Sequence, residues 1–170
     1  MILKPQDLLV MLKLVARKNQ EWTYNGMAVD LIMSPSEVHA AVKRSLRAGL
    51  AIKIKGAIQA NHSCLEEFIV HGLKYVFMPD RGGIIRGIPT IYSIPPLNKL
   101  ALSNDPIPVW PDSMGEKRGE SFSPLYTSAP RAARNDSKLY ELLVLVDAIR
   151  GGRARERELA IKEIRRRLSP

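Results

Sequence analysis

Cysteine occurs once in this chain, at Cys64. One thiol cannot close an internal disulfide, which excludes the disulfide-stapled secreted scaffolds and suits a reducing, cytoplasmic setting. The surrounding Ser-Cys-Leu-Glu-Glu holds no catalytic grouping, so Cys64 reads as a small, partly buried hydrophobe. Histidine is nearly as scarce. His39, His62 and His71 have no Cys, His or Asp partners at ligand spacing, which argues against a metal site. Aromatic residues make up only 6%, little for a protein that stacks single-stranded bases. No window reaches the ~20 apolar residues that cross a bilayer. No long apolar run follows the first charges, so a signal peptide is not expected. Phosphate-loop glycine patterns and the GxSxG elbow are missing too. Glu66-Glu67 reads as an exposed helical pair rather than an acid/base dyad. The expectation is a soluble protein with no catalytic residues and no cofactor.

Positive charge is what the chain has in excess. Lys and Arg number 26 against 17 Asp and Glu, a net +9. That balance suits a polyanionic partner. The excess lies at the two ends: residues 1–60 hold 9 Lys/Arg against 4 Asp/Glu, and residues 134–170 hold 10 against 6. A length of 170 residues with 45% hydrophobic content is enough for a real core.

Helical patterning dominates the basic N-terminal region. Pro5 suits a first helical position, and Leu8, Leu9, Leu12 and Val15 recur at helical spacing, predicting a helix over 5–18 that Asn19 and Gln20 end. A short helix follows over 25–31, capped by Thr23 or Asn25. Ser34-Pro35-Ser36-Glu37 is the sharpest local signal. Ser34 is an N-cap, Pro35 a first helical residue and Glu37 the third, which makes a capping box. The helix over 35–48 turns Val38, Ala41, Val42 and Leu46 inward, and Gly49 stops it. Residues 51–55 then alternate apolar and basic like a strand, with Gly56 at a turn. Ser63 and Glu66 predict a second capping box for a helix over 63–73. Tyr75-Val76-Phe77, a turn at Arg81-Gly82-Gly83, and Ile84-Ile85-Arg86 suggest a small hairpin, a candidate wing.

Eight of the twelve prolines fall between Pro89 and Pro130, which predicts an extended arm or long loop. Its aromatic residues imply packing against its own domain or a second subunit. Two helices, 136–149 and 153–168, joined at Gly151-Gly152, predict a terminal helical hairpin. Arg165-Arg166-Arg167 in the last helix suit either surface ion pairs or a contact with phosphate or a partner.

The order helix, short helix, tight turn, capped basic helix and strand resembles a winged helix-turn-helix. The piece MAVDLIMSPSEVHAAVKRSLRAGLA is similar to bacterial regulators of the MarR/ArsR/Lrp type, through Ser34, Ser36, Val38, Leu46, Gly49 and Leu50. The resemblance covers about residues 1–60, and to 88 with the wing. It implies a winged helix-turn-helix DNA-binding domain over 1–88, which the composition and patterning extend with a Pro-rich arm over 89–133 and a helical tail over 134–170, mainly α with a small β-hairpin wing. It also implies a sequence-specific transcriptional regulator, a homodimer on double-stranded DNA, reading the major groove with its third helix. Ser34, Ser36, His39 and Lys43 would lie near base edges or adjacent phosphates. Arg44, Arg47, Lys53 and Lys55 would contact phosphates, and Lys13 would add to the field. Two alternatives stand beside this reading. One is an antitoxin-like interaction module whose 89–170 region holds a partner protein; the other is an RNA-binding winged helix.

Overall fold

A computed structural model describes residues 1–18 and 20–169. The chain begins with three helices, α1 (Pro5–Arg17), α2 (Tyr24–Leu31) and α3 (Pro35–Arg47). α1 buries an unbroken run from Asp7 to Val15, so it is a central helix wrapped on all sides rather than an amphipathic one. Lys18 closes it in the left-handed conformation; Asn19, expected to end it, lies outside the described residues. At α2 the cap is Thr23, whose hydroxyl accepts from the Gly26 N–H at 3.0 Å. The capping box of α3 forms as the sequence predicts. Ser34 Oγ accepts from the Glu37 N–H at 3.2 Å, and Glu37 Oε2 accepts from the Ser34 N–H at 2.8 Å.

A β-hairpin follows, β1 (Ala51–Ile54) against β2 (Ala57–Ala60), in antiparallel register from Ala51↔Ala60 to Ile54↔Ala57. Its two turn residues, Lys55 and Gly56, have φ of 49° and 85°, the positive-φ pair that matches strand twist. Ala51 and Ala60 are buried at the base, and the indole N–H of Trp22 donates to the Ile58 carbonyl at 3.2 Å, tying the hairpin to the body.

The hairpin is therefore at 51–60, and the one expected over 75–86 does not form. Tyr75 and Val76 finish a helical run, α4 (His62–Glu67), a wider π-type stretch (Phe68–Gly72) and α5 (Leu73–Val76). Its cap is Asn61, which accepts from the Cys64 N–H, and not the expected Ser63 box. Gly82 and Gly83 lie inside a strand, β3 (Arg81–Pro89), where the register shifts between Arg81 and Ile84.

The partners of β3 come from the proline-rich region. β4 (Pro108–Pro111) and β5 (Lys117–Phe122) both pair with it antiparallel, and they pair with each other in parallel, so the three strands close on themselves. Glycine makes the closure possible. A Cβ on Gly87 would sit 2.0 Å from the Trp110 carbonyl oxygen, and one on Gly119 2.0 Å from that of Ile107. The expected arm is thus a folded part of the molecule, and β3 runs across the position where arm and domain were divided. Pro89, Pro108 and Pro111 all stand at strand ends, where a missing N–H is tolerated.

α6 (Ala129–Arg134) leads into α7 (Ser137–Gly151), and α8 (Ala154–Leu168) packs back along α7. This is the expected terminal helix pair, with Gly152 as the break. α7 is buried continuously from Leu142 to Arg150 and packs on α1, so one core joins the two halves. At its centre the fully buried Asp147 accepts from Thr90 Oγ1 at 2.7 Å, Trp110 Nε1 at 2.6 Å and Arg150 Nη1 at 2.7 Å. Burial pushes this carboxyl up, and Arg150, Thr90 and Trp110 pull against the shift. Lys13 is buried as well. Its ammonium meets Asp136 at 2.7 Å and Asp30 at 3.3 Å, joining α1, α2 and α7, so it contributes to the interior and not to an outer basic face.

Helix makes up 53% of this α/β architecture, with a two-stranded hairpin and a three-stranded sheet. Among the described residues no helix is long and apolar enough to cross a membrane.

Candidate nucleic-acid interface

α3 presents two faces. Val38, Ala41, Val42 and Ser45 are buried against α1 and α2. Ser36, His39, Lys43 and Arg47 follow at steps of three, four and four, so they share the opposite face, and all four are exposed. The tyrosine ring of Tyr24 lies 5.2 Å from that of His39, which steadies the imidazole over the start of the helix. Ser34 is held by its capping role, and its hydroxyl is 3.1 Å from that of Ser36. The hairpin adds Lys53 and Lys55, both exposed.

Arg44 does not belong to this face. Its guanidinium turns inward onto Asp7, with Nε 2.8 Å from Oδ2 and Nη2 2.6 Å from Oδ1. The same carboxylate accepts from the Lys4 N–H at 2.9 Å. The Asp7 hydrogen bonds push the Arg44 pKa further up, so this cation stays charged and stays occupied. Arg44, expected at a phosphate, is here a partly buried brace between α3 and α1, its guanidinium engaged by Asp7.

Several other cations are paired as well. Arg17 is paired with Asp30 at 3.1 Å. In the tail, Arg165 meets Glu66 at 3.2 Å, Arg166 meets Glu163 at 2.7 Å, and Arg167 meets Glu163 and, at 3.0 Å, Glu141. The terminal arginine run is therefore largely neutralised by carboxylates of its own chain. By contrast, among the described residues no salt bridge engages Lys43, Arg47, Lys53 or Lys55.

One residue near the site gave no sequence signal. Tyr126 donates its phenolic O–H to Glu37 Oε1 at 3.1 Å, across 89 positions of chain. The backbone and hydroxyl of Ser34, together with Tyr126, hold the Glu37 carboxyl below its ordinary range. The start of α3 is thus anchored both by its own cap and by the C-terminal half. Among the described residues no cluster of three His, Cys, Asp or Glu side chains forms a metal-binding group.

Comparison with family models, with curated proteins and with solved structures finds no match to this chain.

Proposed function

We propose that this chain is a winged-helix DNA-binding protein that regulates transcription. In this reading α3 enters the major groove, and the hairpin at 51–60 lies along the neighbouring backbone. The observation that carries the reading is the placement of four exposed, unpaired cations on α3 and the hairpin. Lys43 and Arg47 on the outer face of α3, and Lys53 and Lys55 on the hairpin, have no carboxylate partner among the described residues, whereas Lys13, Arg17, Arg44, Arg165, Arg166 and Arg167 have one. Unpaired cations such as Lys74, Lys117 and Arg155 occur elsewhere on the chain, but these four stand together on the two elements that a winged helix uses. Ser36 and His39, at the N-terminal end of the same face, are the candidates for base contact.

Two copies on a two-fold site would raise the modest affinity of one small interface. The test is binding of a random-sequence duplex by the Lys43→Ala/Arg47→Ala double variant beside wild type. Weaker binding with an unchanged melting temperature is expected. Equal binding would remove α3 from the interface.

A further inference from the structure

A cleft of about 650 Å³ opens between the small sheet and α7, on a part of the molecule that the DNA reading does not use. Its volume lies in the range of small-molecule sites, roughly 300–1,000 Å³. We propose that this cleft binds a small aromatic anion.

The walls suit an aromatic ring. Ile88, Pro89, Ile107 and Met114 supply apolar surface, and the rings of Tyr92 and Tyr140 flank it. Both phenols already donate their protons, Tyr140 to the Pro89 carbonyl at 2.7 Å and Tyr92 to Glu156 Oε1 at 2.6 Å. They are fixed walls and no longer donors.

The Ser93 hydroxyl is shielded behind the wall, beside the Tyr140 phenol, which leaves one charged group to meet a ligand. Lys117 lines the same cleft and has no carboxylate partner among the described residues, while Arg134 is held by Asp112 at 2.9 Å. Glu116 also lines the cleft, and its charge opposes a polyanion, so the ligand carries one anionic group.

Open clefts often hold only water, but this one is preorganised. Ile91, one residue before Tyr92, has φ of 65° although it is β-branched, and the Tyr92 N–H donates to the Thr90 carbonyl at 2.8 Å across it. This tight γ-turn is a strained conformation of the kind that clusters at binding sites. Its far side is locked, because Thr90 is bonded to Asp147, and Trp110 packs edge-on against Tyr140 at 5.8 Å. The wall is held in place by the hydrogen-bonded Asp147 node of the core.

The probe is 8-anilinonaphthalene-1-sulfonate, an aromatic monoanion that fluoresces when shielded from water. Saturable one-to-one binding to the folded wild-type chain is expected. It should weaken about tenfold in Lys117→Ala, which removes a charge-assisted contact, and vanish in Met114→Trp, which fills the cleft from an exposed position. Near-ultraviolet circular dichroism would show that both variants keep their fold. Absence of saturable binding, or equal binding in all three proteins, would overturn the proposal. Neither variant touches α3 or the hairpin, so this result stands or falls apart from DNA binding.

Discussion

Arg44 and Asp7 form a two-pronged ion pair, at 2.8 and 2.6 Å, in which the carboxylate is completely buried. It sits between α1 and the helix whose outer face we assign to DNA. In the proposed reading, two arginines three residues apart on one helix have opposite roles. Arg44→Ala strands a buried charge and should cost about 3 kcal/mol of stability. Arg47→Ala should leave stability within about 0.5 kcal/mol and weaken DNA binding by about 1 kcal/mol. Urea unfolding and duplex binding on both variants check the division. A stability loss confined to Arg47→Ala would reverse the two assignments.

The Lys13–Asp136 pair predicts an acid-sensitive fold. Burial alone would raise the Asp136 carboxyl, but the Lys13 ammonium and the Leu139 N–H outweigh it and hold the group below its ordinary value. A carboxyl with a depressed folded pKa stabilises the fold above its unfolded pKa, about 3.9. That contribution is lost as pH falls through the folded value. Asp136→Asn keeps an N-cap oxygen for α7 and removes the charge. Its unfolding free energy should be lower than wild type at pH 7, and the gap should narrow as pH falls below about 4. A constant gap down to pH 3 would show that the pair does not titrate with folding.

Much of the first 60 residues was legible because the signals there are local. Ser34, Pro35 and Glu37 lie within one turn, and the inward stripe of α3 repeats at helical spacing. The role of Arg44 was not legible, since Asp7 lies 37 residues away and periodicity alone leaves a flanking arginine ambiguous. The small sheet was hidden for the same reason. Gly82-Gly83 and the prolines read as turn and loop, yet a closed three-stranded sheet needs glycine where backbones meet and tolerates proline at strand ends.

The Asp147 node should behave as a structural lock. Asp147→Ala would leave the buried Arg150 unpaired and remove an acceptor from Trp110 and Thr90. A loss of about 3–5 kcal/mol is expected. Asp147→Asn, which retains one acceptor oxygen, should cost less. Thermal unfolding of the two variants gives the order, and equal stability of both with wild type would contradict it.

Closure of the sheet makes a separate prediction. Gly119→Ala places a methyl 2.0 Å from the Ile107 carbonyl oxygen, a clash with backbone that no side-chain rotation relieves. A loss of about 2–3 kcal/mol should follow. Gly83→Ala, with open space at the Cβ position, serves as the control and should be nearly neutral.

The central claim is that four unpaired cations on α3 and the hairpin meet DNA phosphates. Its most direct measurement is the salt dependence of duplex binding, followed by fluorescence anisotropy. With each cation neutralising one phosphate, log K should fall against log salt with a slope of about −3.6 per copy, and of about −1.8 in Lys43→Ala/Arg47→Ala. A slope near zero, or the same slope in both proteins, would contradict the account.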